Sequence, residues 1–231
     1  MLDYKKDFIK FMIESDVLIF GDFTTKSGRK TPYFINTGRY KTGEQISKLS
    51  QFYCESIMND FGEDFEFDLV FGPAYKGIPL CVSVAQTLAE KYHRDVNFTF
   101  NRKEIKDHGE GGSIIGYQPK DGDKVLIIED VTTSGRSIRE TVPILKSIAD
   151  VKIVGLVISA NRMEKGKTDK DALSELKEEF SMQTTAIVNI QEIIEFLHNK
   201  EIDGKIIIND DRKNKIHRYL EKYGSEDALS G

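Results

Sequence analysis

Four consecutive aliphatic residues, Val125-Leu126-Ile127-Ile128, run without a polar interruption into two carboxylates, Glu129 and Asp130. A strand that is apolar on both faces is buried on both, the situation of a parallel sheet covered by helices on each side. Asp121-Gly122-Asp123 turns the chain into this strand, and Val131-Thr132-Thr133-Ser134-Gly135-Arg136-Ser137 leads out of it toward a helix beginning near Arg136. Parallel strands deliver ligand-binding groups at their carboxyl ends. Two carboxylates there can accept hydrogen bonds from the vicinal hydroxyls of a ribose. The hydroxyls, glycine and backbone amides that follow suit a phosphate dianion at a helix N-terminus. Asp, Ser and Thr before a helix are also ordinary caps, but a cap has no use for two acids and four hydroxyls around one glycine. Neither a Walker loop nor a dinucleotide fingerprint occurs in the chain.

The rest of the pattern agrees with an α/β fold. Phe8, Phe11, Met12 and Ile13 form an apolar stripe on an opening helix that Asp3 is placed to cap, and Ile46, Leu49, Phe52, Tyr53, Ile57 and Met58 form a second. Between them, Ile19 to Arg39 reads as short strands joined by a hairpin turn at Lys26 to Lys30, a small flap. Then come strand Asp68 to Phe71, helix Ile78 to Tyr92, strand Val96 to Phe100, strand Lys124 to Ile128, helix Arg136 to Ile148 and strand Lys152 to Ser159. A helix at Ala172 to Phe180, a strand at Thr185 to Val188, a helix at Gln191 to Asn199 and a surface helix at Arg212 to Tyr223 follow, with 224–231 as a ragged tail. Such alternation predicts right-handed crossovers and a central, mostly parallel sheet flanked by helices. The 231 residues suit a single domain, 1–231.

Lys and Arg total 33 against 38 for Asp and Glu, a net charge of −5, which gives a nucleic-acid partner no support. Cys54 and Cys81 lie in apolar, helical surroundings without a C-x-x-C pair and are expected as free thiols in a reducing cytoplasm. No apolar run approaches the roughly 18 residues of a membrane span.

Three further segments carry chemistry. Phe71-Gly72-Pro73-Ala74-Tyr75-Lys76-Gly77 is a tight loop at another strand end, with Lys76 placed for a second phosphate group. Asn101-Arg102-Lys103-Glu104-Ile105-Lys106-Asp107-His108-Gly109-Glu110-Gly111-Gly112 is basic and ends in clustered glycines, which suits either a solvated hairpin or a lid over an anion. Arg162, after the apolar strand ending at Ser159-Ala160, is either a salt-bridge partner or a bidentate reader of a carboxylate.

The segment Glu129 to Ser137 resembles the phosphoribosyl diphosphate (PRPP) motif of the type I phosphoribosyltransferases, with Glu129 in place of the more frequent Asp. Together with Phe23 to Asn36, Gly72 to Gly77, Asn101 to Gly109 and Asn161-Arg162, it makes the whole chain similar to the orotate phosphoribosyltransferases. That resemblance implies the type I fold with a small N-terminal flap or hood at about 19–40 and a mobile lid at about 102–116. It implies transfer of a 5-phosphoribosyl group from PRPP to orotate in UMP biosynthesis. The alternatives left open are a transferase for another base and a PRPP-binding regulatory protein.

By the same resemblance, Arg102, Lys103, Lys106, His108 and Asp130 are catalytic. Lys26, Tyr75, Lys76, Glu129, Asp130, Val131, Thr132, Thr133, Ser134, Gly135, Arg136 and Ser137 bind PRPP, while Phe34, Ile35, Thr133 and Arg162 bind the base. Ile35 stands where a second aromatic is expected, so it offers the base its backbone. The resemblance also implies a cis peptide at Ala74-Tyr75, Mg²⁺ held mainly by PRPP and diphosphate oxygens, and a homodimer whose lid reaches the neighbouring site.

Overall fold

The computed structural model describes residues 1–25, 28–106 and 112–229, except for the side chains at 105, 106 and 112. Helix α1 (Asp3–Glu14) buries Phe8, Ile9, Phe11 and Met12. Leu2 rather than Asp3 takes the cap position, and the Asp3 carboxylate instead accepts from Lys6 one turn on. Strands β1 (Leu18–Thr24) and β2 (Lys30–Ile35) pair antiparallel as the expected flap. A 3-10 turn at Thr37–Arg39 leads to α2 (Gly43–Ser56), which opens on a reciprocal cap between Thr42 and Gln45 and ends in a π turn, Ile57–Phe61.

The central sheet takes β3 (Leu69–Gly72), β4 (Asn97–Lys106), β5 (Gly112–Gly116), β6 (Lys124–Glu129), β7 (Lys152–Asn161) and β8 (Gln183–Asn189). Their spatial order is β5-β4-β3-β6-β7-β8, parallel throughout except for β5, which returns antiparallel along the edge. Helices α3 (Gly77–Tyr92), α4 (Arg136–Ile148) and α5 (Ala172–Phe180) make the crossovers. Alternation along the strands divides the core. Val70, Leu126, Ile128 and Val157 pack with α1, α2 and α3, whereas Leu69, Phe71, Val125, Ile127, Leu156 and Ile158 pack with α4 and α5. The aliphatic run of β6 is therefore buried on both faces, as its composition requires.

After β8 come α6 (Ile190–Leu197), a two-residue hairpin of β9 (Glu201–Ile202) and β10 (Lys205–Ile206), α7 (Asp210–Tyr223) and α8 (Glu226–Leu229). Three expectations need correction. The segment after Asn101 continues as strand to Lys106 and returns as β5, so the described part of the lid region is a β-ribbon rather than a loop. Helix α7 is only half a surface helix, because Ile216, Tyr219 and Leu220 are buried. The tail is docked: Ser225 N–H donates to Met163 O at 2.8 Å, Glu226 N–H to Asp169 O at 3.0 Å, and the Gln191 amide to Ala228 O at 2.9 Å.

Successive elements run outward from β3 to β4 and β5, then jump back across to β6, β7 and β8. The strand order thus reverses between β3 and β6, and a crevice opens beyond their carboxyl ends. Glu129 and Asp130 on one side and Lys76 on the other stand at that crevice.

Candidate active site

Strand β6 delivers Glu129 and Asp130 with their backbone pinned from two sides. The Tyr53 hydroxyl donates to Glu129 O at 2.7 Å, and Ser159 donates to Asp130 O through both its N–H (2.8 Å) and its hydroxyl (2.6 Å). Glu129 is 6% exposed; its oxygens accept from Asp130 N–H at 2.9 Å and Ser137 Oγ at 2.8 Å. Burial, then the neighbouring charge of Asp130, raise its carboxyl pKa to about 7. Burial acts on Asp130 in the same sense, but hydrogen bonds from Lys76 and Thr37 outweigh it and hold that carboxyl below its ordinary value. Asp130 Oδ2 accepts from Lys76 Nζ at 2.7 Å and from Thr37 Oγ1 at 2.6 Å. One acid of the pair is therefore kept ionised and the other is poised near neutrality.

The loop between β6 and α4 folds as a phosphate cradle would. Gly135 takes φ +68°, a left-handed conformation that costs glycine little. Its N–H donates to Thr132 Oγ1 at 3.0 Å. Two of the four hydroxyls thus turn inward, Thr132 on Gly135 and Ser137 on Glu129, leaving Thr133 and Ser134 exposed. Arg136 points outward and pairs with Glu140, while Arg139, which the sequence did not single out, binds the Ser134 carbonyl and Glu175.

Opposite lies the β3 loop. A Cβ on Gly72 would stand 2.1 Å from Gly77 O, so the loop can close on itself only with glycine there. The Ala74-Tyr75 peptide is cis. Ala74 N–H donates to Asn101 Oδ1 at 2.8 Å, tying this loop to the base of the β4–β5 ribbon. Tyr75 is exposed and Lys76 reaches across to Asp130. On the ribbon, Lys103 is exposed, and Arg102 carries a buried Nε with no partner among the described residues. Lys26 and His108 lie outside the described residues, as does the side chain of Lys106.

The flap supplies Phe34, 36% exposed with its ring 5.8 Å from that of Phe23, and Ile35, which packs on the core. Arg162 is 8% exposed and its guanidinium lies 4.4 Å over the Tyr33 ring. It is not an open fork: Nε donates to Glu164 Oε1 at 2.7 Å and Nη2 to Thr31 Oγ1 at 3.2 Å. The salt-bridge reading of Arg162 is the one the structure shows, with Glu164 across the Nε–Nη2 edge, while Nη1 makes no hydrogen bond to a described residue.

Thr37, Ser159 and Tyr219 went unread because each meets a partner far off in sequence, and Glu164, two residues from Arg162, because an isolated acid in a polar segment carries no pattern. A large groove, about 1190 Å³ between Phe61, Phe65 and Phe180, sits at the other end of the strands, near Lys124 and Lys152, away from this chemistry. A small cavity of about 120 Å³ lies under Asp130 and Lys76, lined by Thr37, Tyr40 and Tyr53.

The phosphoribosyl transferase domain model matches residues 36–204. Over 223 residues the chain is 56% identical to orotate phosphoribosyltransferase of Clostridium botulinum (strain Alaska E43 / Type E3), covering 96% of this chain and 99% of that one. The chain belongs to the orotate phosphoribosyltransferase family. Its relative from Clostridium acetobutylicum, with the same name, is 55% identical over 97% of this chain and 99% of its own. The crystal structure of orotate phosphoribosyltransferase from Francisella tularensis superposes with a TM-score of 0.80 at 37% identity, covering 95% of this chain and 100% of that one. Membership in the orotate phosphoribosyltransferase family accounts for the type I fold.

Proposed function

We propose that this protein transfers the 5-phosphoribosyl group from PRPP to N1 of orotate, forming orotidine 5′-phosphate and diphosphate in UMP biosynthesis. The observation that carries this reading is the meeting, at one strand-order reversal, of Glu129 and Asp130 with Lys76. The full-length likeness to orotate phosphoribosyltransferases selects the base.

In the reaction the bond from ribose C1 to the diphosphate oxygen breaks, N1 of orotate bonds to C1, and positive charge develops on the ribose between the two events. Glu129 and Asp130 accept from the ribose hydroxyls, and their negative charge favours that cationic transition state. The exposed Thr133 and Ser134 and the backbone amides before α4 hold the 5′-phosphate. Val131, Thr132 and Gly135 set the loop's shape. Lys76, Tyr75, Arg102 and Lys103 face the departing diphosphate, with Lys26, Lys106 and His108 added by family resemblance. Phe34 gives the base a floor, Ile35 a backbone edge, and Arg162 a cation for its carboxylate.

Among the described residues no group of three His, Cys, Asp or Glu could hold a metal ion. A donor set of two carboxylates amid cations fits Mg²⁺ carried on the oxygens of PRPP, where it would neutralise diphosphate charge. The protein would act as a homodimer, with the β4–β5 ribbon reaching the neighbouring site, and in the cytoplasm. Two buried free thiols support the latter, their pKa values pushed up to about 12 by burial. Among the described residues no helix is long and apolar enough to cross a membrane.

The test is orotate consumption followed by absorbance with PRPP and Mg²⁺, repeated with uracil, hypoxanthine and adenine. Turnover of orotate above the other bases is expected; faster turnover of another base, or none with orotate, would overturn the proposal.

A further inference from the structure

Arg162 and Glu164 lie inside the segment shared by phosphoribosyl transferases, 36–204. What holds them comes from outside it, on both sides. From the flap, the Tyr33 ring lies under the guanidinium, Thr31 accepts from Nη2, and Tyr33 OH reaches Arg162 O at 3.5 Å. From α7, the Tyr219 hydroxyl donates to Glu164 Oε1 at 2.8 Å and accepts a longer contact from Arg162 Nη2 at 3.5 Å, and its ring meets that of Tyr33 edge-on, 5.9 Å between centroids. Glu164, 5% exposed, thus has one oxygen shared between Arg162 and Tyr219, while Arg29 NH1 approaches the other at 3.6 Å.

Two consequences follow from the charges. Arg29 and Arg162 against Glu164 leave one net positive charge, enough for one ligand carboxylate. Because Glu164 takes the Nε edge of the guanidinium, the ligand is offered Nη1 on a group already fixed in rotation. A lone buried arginine would lose that orientation, and Glu164 without the Tyr219 hydroxyl would have its Oε1 held by Arg162 alone.

We infer that Tyr219, acting through Glu164, is a positioning residue for Arg162, so that the C-terminal helix α7 sets how well this site reads the carboxylate of its base. The inference rests on the reading of the site proposed above and adds to it a residue from the far end of the chain. The ribose and diphosphate groups are held by other loops and do not depend on it.

The experiment compares Tyr219→Phe, which keeps the ring and loses only the hydroxyl, with Glu164→Gln and Arg162→Gln in the full chain. Tyr219→Phe is expected to raise KM for orotate about tenfold, the scale of one hydrogen bond to a charged group. It should leave KM for PRPP and kcat within about twofold, and leave uracil binding measured by calorimetry unchanged. An equal rise in KM for orotate and PRPP, or a matched loss of uracil and orotate binding, would mean a merely structural role and overturn the inference. So would no change at all in Tyr219→Phe while Arg162→Gln raises KM for orotate. If Arg162→Gln itself leaves orotate affinity intact, the assignment of the base site fails, and that failure is distinct from the first. Should Glu164→Gln not fold, the Tyr219→Phe comparison decides alone.

Discussion

Glu129 and Asp130 are adjacent in sequence yet titrate in opposite senses, and the difference is measurable. In the unfolded chain Glu129 ionises near 4.5, whereas in the folded protein its carboxyl sits at about 7. Between those values the folded protein holds a proton that the unfolded chain has lost. Stability therefore falls as pH rises through the window and levels off above it, while below about 4.5 Glu129 contributes nothing. Glu129→Gln is expected to be more stable than the parent at pH 8, by a margin on the order of 2–3 kcal/mol, and no more stable at pH 4. Thermal melts at the two pH values check this. The same proton competes with the ribose hydroxyls, so kcat/KM for PRPP should rise through pH 7 in the parent and not in Glu129→Gln. A parallel profile in both proteins would assign the rise to the substrate's own phosphates. Lys103→Ala, by contrast, removes an exposed cation whose charge is felt by Glu140 but which makes no ion pair or hydrogen bond with a described residue. It is expected to lower kcat roughly a hundredfold, the scale of one preorganised charge at a transition state, with an unchanged melting temperature.

At the scale of elements, the join between β6 and α4 is the critical one. A side chain at Gly135 would be held at φ +68° with its Cβ 2.8 Å from Arg139 Nη1 and 3.1 Å from the Leu176 methyls of α5. Gly135→Ala is expected to cost about 1–3 kcal/mol and to raise KM for PRPP more than KM for orotate, by denaturant unfolding and steady-state kinetics. Elements of this kind were legible in advance. The bounds of α4 and α5 follow from a glycine turn at one and an Asp171 cap at the other, and β6 from its unbroken aliphatic run. Strand β5 was not legible, because it is five residues with a glycine at each end and pairs only along the sheet edge. The two-residue β9 and β10 carry too little pattern to be read at all. The site divides the same way. Glu129, Asp130 and Lys76 stand in local motifs with recognisable chemistry, but Thr37 meets Asp130 across 93 positions and Tyr219 meets Glu164 across 55, distances that no local pattern spans.

For the whole molecule, the docked C-terminus is part of the fold rather than an appendage. Ser225 is fully buried, and 225–228 hydrogen-bond to the loop after β7 and to α6. Ending the chain at Tyr223 removes at least the three bonds that Ser225, Glu226 and Ala228 make there, about 1 kcal/mol each. The melting temperature is expected to fall by roughly 5–10 °C for a protein of this size, as calorimetry would register; an unchanged melt would mean that 225–229 contribute no stability. The contact between Lys76 and Asp130 has a further consequence at this scale, because it joins the two halves of the sheet across the crevice. In the proposed role, a ligand offering only a diol would engage Asp130 and leave the half-exposed Lys76 to water and Thr37, and one offering only a diphosphate would take Lys76 and leave the mostly buried Asp130 with Thr37 alone. Only a molecule that presents both groups, at the spacing of one sugar, exchanges the contact without leaving a charge unanswered. On the proposed reading of the site, the crevice would behave as a two-key lock, with discrimination against plain ribose phosphates and against free diphosphate resting on one pair of side chains.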